Sequence, residues 1–171
     1  RPFGKLPDGR ETRLFSLSNG CGLACDITDY GGIVTAIRVT RPDGSVVDVV
    51  LGFNTLEGYL GPHPYFGTLV GRVAGRVSGA KFQLEGCEYP LAANDAPNHL
   101  HGGPGGFDKQ LWQAEVPTKE SEASLRLSYL SPDGEEGYPL TGGLVDHDFL
   151  VVVTACSPVE QAGSPVAKGA D

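Results

Sequence analysis

The 171 residues suffice for one domain with a real core, and all-β sandwiches often run to about 200–250 residues as one unit, so the chain reads as all or part of one domain. Hydrophobic residues make up 40%, with 25 glycines and 13 prolines, which favours many short strands joined by turns over a helical bundle. Thirteen Lys and Arg against 21 Asp and Glu give a formal charge of −8, which repels phosphate backbones and anionic bilayers and argues against nucleic acid and membrane partners.

From the N-terminus, "RPFGKLPDGRETR" lacks the apolar core of a secretory signal, and nothing in the chain approaches the roughly 18 apolar residues of a membrane helix. There is no methionine, position 1 included, so the sequence is expected not to start at its own start codon. Pro-Asp-Gly recurs at 7–9, 42–44 and 132–134 and marks three turns, because proline presets φ, aspartate caps and glycine tolerates positive φ. Strands are predicted at 13–18 and 21–28. On the second, Cys21 and Cys25 share a face as small buried thiols. Four cysteines without a CxxC pair are too few for a disulfide scaffold and fit a reducing, cytoplasmic compartment.

Residues 32–53 read as a β-hairpin closed near Pro42–Ser45. Strict alternation puts Ile33, Thr35, Ile37 and Val39 on one face of its first arm, and Val34, Ala36 and Arg38 on the other. A long connection at 54–79 shows neither helical nor alternating periodicity, and its aromatic content argues for a functional loop. Further strands are expected at 80–85 and 87–92, paired across Glu85–Gly86, and at 111–116 and 124–130. "LVDHDFLVVVTAC" supplies one more apolar strand. Residues 1–156 are therefore predicted to be sandwich domain and 157–171 a disordered tail rich in Ser, Pro, Gly and Ala.

"NHLHGGPGGFD" at 98–108 poses the chemical question. On an extended segment His99 and His101 would point the same way, but with only Asp95 and Asp108 nearby they fall short of a zinc site's three or four well-placed ligands. The glycine run lacks the Gly-Lys-Ser/Thr ending of a P-loop, and Pro104 removes an amide. "GRVAGR" at 71–76 would by itself be two exposed arginines pairing with surface carboxylates. Beside a histidine on a neighbouring loop, the pair instead offers hydrogen bonds to hydroxyls and ring oxygens, with Tyr65, Phe66 and Trp112 available as apolar faces.

Together, residues 66–112 ("FGTLVGRVAGRVSGAKFQLEGCEYPLAANDAPNHLHGGPGGFDKQLW") closely resemble the aldose 1-epimerases, also called galactose mutarotases. "YGGIVTAIRVTRPDGSVVDVVLGFNTLEGYL" at 30–60 and "SPDGEEGYP" at 131–139 match the same family in order and spacing, so the resemblance covers about residues 13–139. It implies a large antiparallel β-sandwich, here incomplete at its C-terminus, that binds an aldohexose without cofactor or metal. It also implies an isomerase of hexose metabolism, interconverting the α and β anomers of galactose or glucose by acid/base ring opening.

Carried over by position, His101 of "LHGG" contacts the sugar near its ring oxygen and is the catalytic candidate. Arg76 hydrogen-bonds sugar hydroxyls. Gly75 stands where the family usually has asparagine, and His99 is incidental. The family's second histidine, downstream aspartate and C-terminal glutamate have no recognisable counterpart, so this chain is expected to lack the general acid and base. His147 follows Pro139 by eight residues, too soon for the family's intervening strands, and is a weak replacement. Leu140 replaces the glycine that follows "GYP", an abrupt departure of the kind a splice variant, frameshift or faulty gene model produces. The alternatives are a non-catalytic carbohydrate-binding module, or an inactive remnant that associates through unpaired strand edges.

Overall fold

The computed structural model describes residues 1–117, 123–140 and 145–154. The predicted tail at 157–171 and Cys156 lie outside the described residues. In chain order the strands are β1 (Pro2–Lys5), β2 (Glu11–Ser18), β3 (Leu23–Thr28), β4 (Val34–Thr40) and β5 (Val46–Asp48), followed by the short helix α1 (Leu56–Leu60). Then come β6 (Arg76–Val77), β7 (Lys81–Leu84), β8 (Cys87–Pro90), β9 (His99–Leu100), β10 (Gln113–Glu115), β11 (Ala123–Ser131) and β12 (Val145–Val153).

All three Pro-Asp-Gly sequences form turns, and in each the aspartate accepts a backbone N–H. Asp8 caps Arg10 at 3.0 Å, Asp43 caps Ser45 at 2.9 Å, and Asp133 caps Leu140 at 2.8 Å. The first two close the β1–β2 and β4–β5 hairpins, and the consecutive antiparallel strands build a sheet ordered β1-β2-β3-β4-β5. A second sheet, β10-β11-β12, lies over it. Leu17, Cys25 and Ile27 of the first sheet meet Leu125, Leu127 and Val153 of the second around Phe107 and Trp112. This is a β-sandwich with its core between two antiparallel sheets, as the composition and the resemblance imply. β7 and β8 pair across Glu85–Gly86 as predicted.

Three expectations are corrected. Between Asp26 and Ile27 the β3–β4 register shifts, pairing Asp26 with Ala36 but Ile27 with Val34, so Thr35 is an extra residue. Alternation therefore breaks at Thr35. Val34 joins Ile37 against the sandwich core, while Ile33 packs in a second cluster with Leu56 and Tyr59. Cys21 is exposed because β3 starts only at Leu23; Asn19 draws the Cys21 and Leu23 amides into a turn. Cys87 is exposed at the β7–β8 turn, so only Cys25 among the described cysteines is a buried thiol. The 54–79 connection is not wholly irregular, since it contains α1 and β6.

Candidate functional site

The site is assembled by two very short strands. β6 and β9 pair antiparallel, Arg76 opposite Leu100 and Val77 opposite His99, which brings "GRVAGR" and "LHGG" side by side. Asn94 grips the open side of β9. Its side-chain amide donates to the Leu100 carbonyl at 2.9 Å and its oxygen accepts the Leu100 N–H at 2.8 Å, imitating a further strand.

Beyond β9 the chain turns sharply at His101, whose φ of 52° is left-handed, so His99 and His101 do not share an extended face. His99 is fully buried, with Nδ1 2.8 Å from the Ala92 carbonyl and its ring edge-on to Tyr138. His101 instead closes a reciprocal pair with Gly75. Its N–H donates to the Gly75 carbonyl at 3.0 Å, and the Gly75 N–H donates to its Nδ1 at 3.1 Å. Because Nδ1 accepts, the imidazole proton sits on Nε2, which is left as a donor. Gly75 holds this contact at φ +85°, where glycine is unstrained.

Arg76 donates from Nε to the Asp95 carboxylate at 2.5 Å, while its side chain is 60% exposed, so the terminal guanidinium nitrogens remain available. Asp95 is fixed by a tight turn in which its backbone and that of Asn98 bond each other in both directions. The Tyr65 ring stands edge-on to His101, with centroids 4.6 Å apart. Burial, reinforced by the charges of Asp108 and Asp95, raises the Tyr65 phenol pKa and keeps it a hydroxyl donor.

The structure thus brings together Gly75, Arg76 and His101, the three residues singled out from the sequence. It separates others from them. Arg72 is no surface ion-pairing residue: its guanidinium binds Ser131 Oγ at 2.7 Å and the carbonyls of Pro132, Tyr138 and Pro139. Glu136 accepts the Gly105 N–H at 3.0 Å, so "SPDGEEGYP" seats both the 71–76 loop and the glycine loop after His101. Trp112 is 2% exposed in the sandwich core, and Phe66 lies against Phe53. His147, on β12, packs edge-on to Phe107 at 4.6 Å. Sequence reasoning missed Asp95 as the partner of Arg76 and Asn94 as the brace of β9; their only signal was an Asn-Asp pair in a turn-prone stretch. Among the described residues no group of three or more His, Cys, Asp or Glu is arranged to hold a metal ion.

A family model described as aldose 1-epimerase matches residues 13–143. Galactose mutarotases of Bos taurus and Homo sapiens are 50% and 48% identical over 138 residues, 80% of this chain and 39% of each relative. The aldose 1-epimerase of Escherichia coli (strain K12) is 32% identical over 133 residues, 78% of this chain and 38% of the relative. Among solved structures, the galactose 1-epimerase from Lactobacillus acidophilus NCFM matches with a TM-score of 0.70 at 27% identity, over 85% of this chain and 41% of that one. An aldose epimerase homologue from C. elegans matches with a TM-score of 0.74 at 26% identity, over 83% and 42%. The chain spans about two fifths of the length of the curated relatives it matches.

Proposed function

This chain belongs to the aldose 1-epimerase family, and from that premise we propose that the Gly75–Arg76–His101 corner binds an aldohexose in a protein that interconverts its α and β anomers. The observation that carries the reading is the reciprocal Gly75–His101 pair. It turns the protonated Nε2 of His101 outward as a donor suited to a hexose ring oxygen, whose lone pairs must be engaged for the C1–O5 bond to open. Arg76, oriented through Nε by Asp95, offers its terminal N–H groups to vicinal hydroxyls.

In the full reaction a base removes the proton of the anomeric hydroxyl while an acid protonates the ring oxygen. The ring opens to the aldehyde, C1–C2 rotates, and reclosure returns both protons. On the ring-oxygen side His101 supplies a hydrogen bond from Nε2. The general acid for the ring oxygen and the base for the anomeric hydroxyl are separate requirements that Gly75, Arg76 and His101 do not meet. The relatives include a galactose mutarotase and a galactose 1-epimerase, which makes galactose the first substrate to try. Free thiols at Cys21, Cys25 and Cys87 support a reducing, cytoplasmic setting.

The test follows the optical rotation of freshly dissolved α-D-galactose with and without the chain, alongside titration of equilibrated galactose by NMR. We expect galactose to bind and His101→Ala and Arg76→Ala each to weaken binding about tenfold or more, as loss of a hydrogen bond to a charged or well-placed donor does. Any acceleration of mutarotation should vanish in His101→Ala. Binding unchanged in both variants would remove the corner from the sugar site.

A further inference from the structure

A cleft of 370 Å³ adjoins the corner and shares Tyr65 with it. Three titratable side chains that the proposed function leaves unused line this cleft: His63, Asp108 and Lys109. The Lys109 ammonium lies 2.8 Å from Asp108 Oδ2 and 3.3 Å from His63 Nε2. An ammonium only donates, so Nε2 accepts and the His63 proton is on Nδ1. Burial, followed by the neighbouring Lys109 charge, lowers the His63 pKa and keeps the ring neutral. The Asp108 side chain is 2% exposed, yet its Oδ1 accepts no hydrogen bond among the described residues. A buried carboxylate oxygen left in this state is costly unless a ligand or water donates to it.

We propose that this cleft is a second hydroxyl-binding station of the sugar site, with Asp108 Oδ1 accepting from, and Lys109 Nζ donating to, hydroxyls of an aldohexose that lies along Tyr65. The inference rests on the sugar-site reading above. A hydroxyl both donates and accepts, so one group can bridge Oδ1 and Nζ, or two vicinal hydroxyls can take one each. The charges select the ligand class. Lys109 and Asp108 cancel and His63 adds none, so an anionic sugar gains from the ammonium only what it loses to the carboxylate, and also has to be desolvated. Asp108 and Lys109 are thereby specificity-determining residues that favour a neutral hexose over its uronic acid. The position of Tyr65 couples the two stations, because its ring contacts His101 on one side and forms part of the cleft lining on the other.

The experiment is NMR titration of the unmodified chain with D-galactose and with D-galacturonate, observing the Lys109, His63 and His101 side-chain signals. We expect galactose to shift all three and galacturonate to bind at least tenfold more weakly. In Lys109→Met the galactose Kd should rise about tenfold, and a thermal melt shows whether the variant remains folded. Should it not fold, the unmodified chain still decides, since its Lys109 and His63 signals either move with galactose or do not. Galactose binding that shifts His101 alone would overturn the cleft and leave the corner standing. Shifts at Lys109 and His63 alone would overturn the corner, and the cleft would stand as a hexose site in its own right. Absence of any galactose binding would overturn both, and equal binding of galacturonate would overturn the selectivity.

Discussion

The sandwich and the loop layer of residues 60–109 are held together by different forces. Between the sheets, Ile27, Leu125 and Leu127 are completely buried and the stabilisation comes from apolar area removed from water, which is tolerant of small shifts in direction. In the loop layer the joints are directional: Asn94 on Leu100, Gly75 on His101, Arg72 on three carbonyls, Glu136 on Gly105. The contrast explains why the candidate site lies where it does. Apolar packing fixes a scaffold, but aiming an imidazole Nε2 and a guanidinium at one small ligand takes hydrogen bonds with defined angles.

The largest expected effect separates the two regions. Leu127→Ala should lower global stability by about 2–5 kcal/mol in urea titration, the range for emptying a leucine from a packed core. The molecules that remain folded should bind galactose with unchanged Kd. A large shift in Kd would show that the loop layer is not independent of the core beneath it.

Gly102→Ala attacks the loop layer from within. A Cβ there would stand 1.7 Å from the Gly71 carbonyl oxygen, and φ is +84°, so the 71–76 loop and the glycine loop must separate. We expect a loss of about 1–3 kcal/mol, the cost of a strained backbone position, and a greater loss of galactose affinity than of stability. Hydrogen exchange at Gly75 and His101 should quicken while β2 and β3 stay protected. Smaller still is Gly75→Asn, which restores the side chain the family resemblance expects. A Cβ at Gly75 meets nothing within 4 Å and asparagine tolerates the left-handed region. The variant should stay folded and bind galactose a few-fold more tightly, by about one added hydrogen bond. Weaker binding would mean that the open space beside Arg76 is needed by the ligand itself.

The same division of forces governs what is legible in the sequence. Alternation and Pro-Asp-Gly turns are local signals, so β2, β4, β5, β7, β8 and β11 can be read directly from the order of residues. β6 and β9 have two residues each, too few for any period, and they exist only because Arg76 meets Leu100 across 23 intervening residues. The extra residue at Thr35 carries no sequence mark, because threonine fits a regular strand equally well. At the site, His101 and Arg76 stand out through family resemblance, not by spacing. Asn94 escapes notice and Asp95 is weighed only as a metal ligand, because Asn and Asp are ordinary turn residues, and only the fold shows that Asn94 grips β9 and Asp95 grips Arg76.

The two regions should finally differ in their response to acid. At Asp26 in the sandwich, burial pushes the carboxyl pKa up, but hydrogen bonds from Arg38 and Ser16 and the Arg38 charge more than offset this and leave it lowered. A carboxyl depressed in the folded state contributes stability above its unfolded value, roughly pH 3.9, and loses it as pH falls through the folded value. Arg38 is 37% exposed, so solvent screening limits the contribution to about 1 kcal/mol or less. His63 in the loop layer has the opposite sign of charge. Its folded pKa is lowered from 6.5, so the unfolded chain takes up the proton first and stability falls as pH drops below about 6.5. Urea midpoints between pH 7.5 and 3 should therefore decline in two stages. His63→Phe should flatten the first, and Arg38→Met should lower the neutral plateau and shrink the second. A single decline untouched by His63→Phe would show that His63 keeps its proton equilibrium on folding, its burial and the Lys109 charge being offset by Asp108.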